Sequence, residues 1–233
     1  RRISQLAQWH LAPTANSADH LRREGIAEAN IQLVGNSIVD LLRLTLANPM
    51  DHEIPWRSHG KRLVVMTLHR RENYQHGLVN VCNVMLQLLA SDPELCLVSP
   101  LHPNPLVRSR LLRLLGGHPR ILTTPPLAYR RFIPLLQEAS LIVTDSGGIQ
   151  EEAAYIGSPV LVTRSETERP EAAQSGLVSL IGTNPERLLQ ACHQRLAAPR
   201  PPACAFDEHA PFGDGRTAAR VLAALWAARK VGV

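Results

Sequence analysis

The stretch that decides the fold is Leu141-Ile142-Val143-Thr144-Asp145-Ser146-Gly147-Gly148-Ile149-Gln150-Glu151-Glu152. Its apolar opening predicts a buried strand, and the Ser-Gly-Gly turn leads into a helix that begins near Gln150. Glycines let a backbone approach a ligand closely, and helix N-terminal N–H groups favour an anion such as phosphate. We expect Glu151 and Glu152 on the first helical turn, where one can accept hydrogen bonds from sugar hydroxyls. The alternative is a plain strand–helix turn whose acids only complement the helix dipole.

Short apolar strands alternate with helices on both sides of this stretch. Beyond it, the pattern predicts strands at 63–67, 95–98, 121–122, 160–162 and 178–180, and helices at 78–89, 105–115, 129–138, 185–196 and 215–230. This alternation indicates an α/β fold with a Rossmann-like parallel sheet and helices on both faces. In such sheets ligands bind beyond the carboxyl ends of the strands.

Polar motifs follow several of these strands and should therefore meet at one edge of the sheet. They are His69-Arg70-Arg71-Glu72-Asn73, His102-Pro103-Asn104-Pro105, Asp145-Ser146-Gly147-Gly148 and Glu168-Arg169. Arginine forks fit phosphate oxygens, so these motifs indicate an anionic ligand. Each also has a plain structural alternative: a solvated basic loop after His69, a turn histidine at His102 and an exposed ion pair at Arg169. Asp145 caps a turn or orients a neighbour, and Phe132 either contacts a nucleobase or packs in the core.

The N-terminal part of the chain forms a separate region in this prediction. Residues 1–47 hold about two α/β units, with a helix at 17–24 capped by Asn16, and are too short for an independent core. Residues 48–60 are predicted as a linker, 61–214 as the main domain and 215–233 as a last helix. On that helix Val221, Leu222, Leu225 and Trp226 form one apolar stripe.

Composition narrows the class of protein. The chain has 233 residues, of which 45% are hydrophobic, and a net charge of +5. This suits an anionic ligand, but the basic residues are scattered, so neither nucleic-acid nor membrane binding is expected. Apolar runs are far shorter than the roughly 20 residues that cross a bilayer, and we expect no signal peptide. The cysteines, at 82, 96, 192 and 204, lack metal-site spacing and are expected to be free thiols in the cytoplasm.

Two common nucleotide-binding signatures are missing, since the sequence contains neither a Walker A motif nor a GxGxxG fingerprint. This argues against P-loop NTPases and ordinary NAD-dependent dehydrogenases. No GxSxG nucleophile elbow is present either.

Taken together, the motifs resemble those of the non-hydrolysing bacterial UDP-N-acetylglucosamine 2-epimerases. The resemblance rests on Ala12-Pro13-Thr14, residues 34–40, 69–73, 102–105, 144–152, 159–162, 167–171, Val178, Gly182-Thr183 and 211–215. It implies a two-domain fold of the glycosyltransferase-B type with a UDP-sugar in the cleft. Residues 1–47 would be a remnant of the N-terminal domain, 61–214 the UDP-binding domain and 215–233 a helix that crosses back.

The resemblance also implies residue roles. Ser146, Gly147 and Gly148 would hold the diphosphate, Glu152 the ribose hydroxyls and Phe132 the uracil. Arg169 and His69 would face the diphosphate and the sugar, with His69 the catalytic candidate. Arg70 and His102 match positions linked in some members to a second, regulatory UDP-sugar.

The family reaction interconverts UDP-GlcNAc and UDP-ManNAc by elimination and re-addition of UDP, without metal or cofactor. We expect this isomerase activity, serving cell-envelope polysaccharide biosynthesis, to be incomplete in this chain alone. The acids that would handle the C2 proton belong to the family's first domain, which is mostly missing here, and their loss costs several orders of magnitude in rate. The expected partner is a second copy or an N-terminal half. The alternatives are a nucleotide-sugar binding or regulatory module, half of a split enzyme, or a glycosyltransferase, which the motifs at 69–73 and 167–171 disfavour.

Overall fold

The computed structural model describes residues 4, 6–48, 62–69, 77–167, 169–207 and 209–230. The strands are β1 (His10–Ala12), β2 (Ile31–Leu33), β3 (Arg62–Thr67), β4 (Leu95–Pro100), β5 (Ile121–Thr124), β6 (Leu141–Thr144), β7 (Val160–Val162) and β8 (Val178–Leu180). The helices are α1 (Ala15–Arg23), α2 (Ser37–Ala47), α3 (Gly77–Ser91), α4 (Pro105–Leu115), α5 (Tyr129–Glu138), α6 (Gly147–Ile156), α7 (Pro170–Gln174), α8 (Pro185–Ala197) and α9 (Thr217–Lys230). A 3-10 turn spans Glu28–Asn30.

The chain forms two compact units. Unit 1 comprises Arg1–Asn48 and Ala205–Val233, and unit 2 comprises Pro49–Cys204. Residues 205–214, predicted as part of the main domain, belong to unit 1 in the structure. The division into functional domains stays a prediction, and most of the predicted linker lies outside the described residues.

Unit 1 is built on the parallel pair β1–β2. The predicted Asn16 cap of α1 is wrong: the Thr14 hydroxyl accepts from the Ser17 N–H at 3.1 Å, and the helix begins two residues earlier than predicted. The Asp40 carboxylate on α2 caps α9 by accepting from the N–H groups of Thr217 and Ala218 at 3.0 and 2.9 Å. These capping bonds hold the last helix against the N-terminal segment.

Unit 2 is a six-stranded, all-parallel sheet in the order β5-β4-β3-β6-β7-β8. The chain first builds outward from β3 through β4 to β5. It then returns to the other side of β3 and builds through β6 to β8. Strand order therefore reverses between β3 and β6, where an open parallel sheet forms its ligand crevice.

Helices cover both faces of this sheet, because successive strand residues point to opposite sides. Val64 and Met66 belong to one core cluster with residues of α3, α4 and α8. On the other face Val65 is also fully buried, α5 packs against β3 and α6 packs against β7. The predicted α/β class, with a parallel sheet between two helical layers, is confirmed.

The cysteines are free thiols in two environments. Cys82 and Cys192 lie in the core, where burial raises the pKa of each thiol to about 12, so both are unreactive. Cys96 and Cys204 are only partly buried. Within the described residues no helix is both long enough and apolar enough to cross a membrane.

The C-terminus of α6 is held by a side chain from the Pro-rich segment after α8. Arg200 donates from Nε to the Gly157 carbonyl at 2.7 Å and from Nη2 to the Ile156 carbonyl at 3.0 Å and the Ser158 hydroxyl at 2.7 Å. Gly157 adopts the left-handed region with φ 70°, and an added Cβ would lie 3.1 Å from the Ala203 nitrogen. The helix that begins at the sheet's switch point is thus anchored at its far end.

Candidate functional site

Hydroxyl groups join the ends of β3 and β6 at the switch point. Thr67 Oγ1 and Thr144 Oγ1 lie 2.7 Å apart, and the Ser146 N–H donates to Thr144 Oγ1 at 3.0 Å. Thr144 is fully buried. Its hydroxyl therefore connects the two strands and shapes the turn that leads into α6.

The N-terminus of α6 has no side-chain cap, and its first two residues are glycines. Ser146 occupies the cap position, but its side chain makes no capping hydrogen bond. Neither Gly147 nor Gly148 has a positive φ. An added Cβ would meet nothing within 4 Å at Gly147 and only the Ser146 hydroxyl, at 4.0 Å, at Gly148. Neither conformation nor packing requires glycine here, and the missing side chains leave the first turn of α6 uncovered.

The two acids of this helix lie elsewhere than predicted. Because α6 begins at Gly147 rather than near Gln150, Glu151 and Glu152 fall on its second turn, and the first turn carries no acid. Each is only 5% exposed. Buried acids on the second turn do not complement the helix dipole, so that alternative is not supported.

Burial sets the acidity of Glu152. The pKa of the carboxyl is raised to about 7: burial raises it most, the nearby Tyr129 hydroxyl lowers it, and the neighbouring Glu151 raises it. Burial, followed by Glu152, also raises the pKa of Tyr129. The Tyr129 hydroxyl is buried, lies close to Glu152 and forms no hydrogen bond of normal geometry within the described residues. The site thus holds a carboxyl that changes charge near neutral pH.

A chain of hydrogen bonds connects the start of α6 to Arg169. Gln150 Nε2 donates to the Ser146 carbonyl at 3.0 Å, Thr167 Oγ1 donates to Gln150 Oε1 at 2.7 Å, and the Arg169 N–H donates to Thr167 Oγ1 at 3.0 Å. The Arg169 guanidinium also pairs with Glu151. This pair joins Arg169 to a buried acid of α6, whereas the structural alternative in the sequence was an exposed ion pair near Arg169.

His69 is held by Asp145 across the switch point. Its Nδ1 lies 2.8 Å from Asp145 Oδ1, and its backbone N–H lies 3.0 and 3.1 Å from the two carboxylate oxygens. Asp145 is fully buried, whereas the His69 side chain is 33% exposed. Of the two sequence alternatives for Asp145, the structure supports the one in which it orients a neighbour.

A cavity of about 190 Å³ adjoins this histidine, and its lining includes Thr67, His69, His102, Leu127 and Phe132. The rings of His69 and His102 are stacked, with centroids 5.9 Å apart. His102 Nδ1 accepts from the Asn104 N–H at 3.1 Å, which orients the ring as a turn histidine. Phe132 is only partly buried and lines the cavity.

Five residues of the predicted motifs lie outside the described residues: Arg70, Arg71, Glu72, Asn73 and Glu168. Among the residues that are described, no group of histidine, cysteine and acidic side chains could hold a metal ion.

Comparison with known proteins places this geometry in a family. The sequence profile of the UDP-N-acetylglucosamine 2-epimerase family matches residues 1–226. The chain belongs to this family. A relative from Salmonella typhimurium, a UDP-N-acetylglucosamine 2-epimerase, is 37% identical over 229 residues, which are 94% of this chain and 61% of the relative.

Solved 2-epimerases share the fold. The enzyme from Neisseria meningitidis bound to UDP-GlcNAc matches with a TM-score of 0.86 and 32% identity over 97% of this chain and 63% of its own. Staphylococcus aureus MnaA, in a co-structure with UDP, matches with a TM-score of 0.85 and 36% identity over 94% of this chain and 59% of its own. The glycosyltransferase-B type fold is confirmed. The chain spans less than two thirds of the length of these 2-epimerases.

Most of the predicted 2-epimerase residues lie around the switch point. The structure places Ser146, Gly147 and Gly148 at the start of α6, and His69, His102 and Phe132 around the cavity. Sequence reasoning did not assign roles to Gln150, Thr167 or Tyr129. The four-residue spacing from Ser146 to Gln150 was the available signal for the first, since it allows contact along a helix. The other two contacts cross between elements and leave no local signal.

Proposed function

We propose that this chain is the UDP-binding portion of a 2-epimerase that interconverts UDP-GlcNAc and UDP-ManNAc. The observation that carries the proposal is the bare glycine N-terminus of α6 at the switch point of a parallel sheet. Because two glycines stand where nothing in the fold excludes a side chain, a ligand is the best reason for them. Exposed N–H groups and the helix dipole favour a diphosphate.

The surrounding side chains suit the rest of a UDP-sugar. In this proposal Ser146, Gly147 and Gly148 bind the diphosphate, and Arg169 adds a positive charge. Glu152 accepts hydrogen bonds from the ribose hydroxyls, and Phe132 contacts the uracil ring. Buried carboxylates bind hydroxyl pairs well because each oxygen accepts strongly in a low dielectric.

The proposed reaction needs positive groups at the departing UDP and an acid–base pair at C2. Arg169 supplies the first requirement in this chain, and His69 adds to it once its Nε2 has accepted a proton. For the second, we propose that the groups come from a partner, either an N-terminal half or a second copy. The expected place of the reaction is the cytoplasm, in the supply of sugars for polysaccharides. The regulatory site proposed at Arg70 and His102 also remains to be tested.

Calorimetric titration with UDP tests the binding proposal. We expect binding by the chain as it stands, and at least about tenfold weaker binding by Arg169→Ala and by Glu152→Ala, since each loses a charged hydrogen bond. Arg187→Ala is the matched control, because Arg187 is an exposed arginine on α8 and its loss changes net charge equally. Failure of the wild-type chain to bind UDP would contradict the proposal.

A nucleotide-sugar binding module without catalysis is the second candidate, because the chain covers only 61% of the Salmonella relative. A coupled assay for UDP-ManNAc separates the two. UDP binding without turnover, by this chain and by any longer chain of which it forms a part, supports the module. Turnover by either supports the epimerase.

A further inference from the structure

We infer that Asp145 is a positioning residue that sets the tautomer of His69. The role that we give this tautomer rests on the proposed UDP site. The tautomer itself is a property of the ligand-free chain. The geometry is direct: Asp145 Oδ1 lies 2.8 Å from His69 Nδ1, and both carboxylate oxygens accept from the His69 backbone N–H at 3.0 and 3.1 Å.

The proton position follows from the chemistry of the pair. An ionised carboxylate has no hydrogen to give, so the ring nitrogen at 2.8 Å must carry the proton. In neutral His69, Nε2 is then the nitrogen with the lone pair. The ring borders the cavity beside Phe132, on the side where the ligand is proposed to bind. Asp145 therefore makes Nε2 the atom that accepts or returns a proton.

A purely structural role explains Asp145 less well. The backbone N–H of His69 needs one acceptor, which an asparagine would also provide. A fully buried carboxylate is unfavourable unless it is paired and hydrogen-bonded. Here both oxygens accept from the His69 backbone N–H, and Oδ1 also lies 2.8 Å from the ring Nδ1. A carboxylate behind a histidine fixes both ring orientation and tautomer in many catalytic and metal sites.

The Asp145→Asn variant separates the two roles. Its amide oxygen can keep the bond from the His69 backbone, which leaves the NH₂ group facing Nδ1. A donor in that position moves the ring proton to Nε2. Asp92→Asn is the matched control, since Asp92 is a carboxylate at the opposite end of the sheet, paired with Arg62 at the start of β3.

Proton–nitrogen NMR correlation of the histidine rings, in the ligand-free chain with His69 neutral, reads the tautomer. We expect the proton on Nδ1 in the wild-type chain and in Asp92→Asn, and on Nε2 in Asp145→Asn.

The outcomes are distinct. A proton on Nε2 in the wild-type chain overturns the inference. If Asp145→Asn does not fold, the wild-type spectrum alone decides. Failure of UDP to bind the wild-type chain counts against the proposed function and leaves the tautomer result standing.

Discussion

At the scale of single residues, Glu152 couples acidity to stability. Burial raises its pKa from 4.5 to about 7, so between these values the folded chain keeps a proton that the unfolded chain has released. The free energy of unfolding should therefore fall as pH rises through this window. At about 1.4 kcal/mol per pKa unit the loss reaches about 3–4 kcal/mol, and it persists above pH 7.

The Glu152→Gln variant tests this linkage. We expect a flatter stability profile between pH 4.5 and about 7 and a more stable chain than wild type above it, because the glutamine has no charge to bury. Urea denaturation across pH 4 to 8 measures both. Glu94→Gln, the same change at an exposed position, is the control. Identical profiles for wild type and Glu152→Gln would contradict the buried-acid account.

Two glycines, one in the first turn of α6 and one directly after its last residue, should differ in what an alanine substitution changes: UDP binding in the first case and stability in the second. Gly148→Ala should fold normally, since its Cβ meets only a hydroxyl at 4.0 Å, yet bind UDP at least about tenfold more weakly because the methyl covers the N–H groups. Gly157→Ala should lose about 1–3 kcal/mol of stability, because its backbone is left-handed and Ala203 is close. Thermal unfolding and UDP titration of both variants measure the contrast. Normal UDP binding by Gly148→Ala would remove the main support for the anion site.

At the scale of elements, α6 connects the candidate site to the far side of unit 2. Arg200→Ala removes three hydrogen bonds from its C-terminal region, and burial already lowers the pKa of this guanidinium. We expect a loss of about 2–3 kcal/mol in the free energy of unfolding, since the Ile156 and Gly157 carbonyls lose a charged donor. Urea denaturation beside Arg187→Ala measures it. Equal stability of the two variants would show that Arg200 does not hold the helix.

Element prediction succeeded where hydrophobic periodicity was strong and failed where it was weak. The strands and long helices of unit 2 were predicted to within a few residues, because each buries one apolar face. The short helix α7 was missed, since five residues are too few to show a period. The start of α6 was placed late because glycines argue against a helix interior, whereas here they form its first turn.

At the scale of the whole molecule, the last helix of unit 1 exposes large apolar side chains. Leu222 and Leu225 on α9 are each 56% exposed and Trp226 is 62% exposed. This agrees with the stripe predicted from the sequence. We expect the chain to dimerise or aggregate through this face, because contiguous exposed apolar surface drives association.

Light scattering and sedimentation test this expectation. A Leu225→Lys, Trp226→Ser double variant should shift the chain towards the monomer, since both side chains are already exposed and their loss should leave the fold intact. Arg187→Ala serves again as a surface control. A monodisperse wild-type monomer at high concentration would contradict the prediction.

Sequence patterns predicted which segments carry the candidate site, but not which of their side chains are in contact. The rule that ligands bind at strand ends brought His69, Asp145 and Arg169 to one edge of the sheet. Strand order decides which ends are neighbours, and periodicity carries no information about it. The His69–Asp145 contact joins residues 76 positions apart, and the Tyr129–Glu152 neighbourhood depends on how two helices pack. Such contacts are set by tertiary structure.

The hydroxyl contact between Thr67 and Thr144 also bears on how the chain folds. It spans 77 positions, and β4, β5 and three helices lie between its ends. Closing so long a loop is slow, so the crevice between β3 and β6 forms late, after the segment through α6 has left the ribosome. A nucleotide that binds only the finished crevice would then favour folding, since it raises the ratio of folded to unfolded chains by a factor that depends on its concentration relative to its Kd.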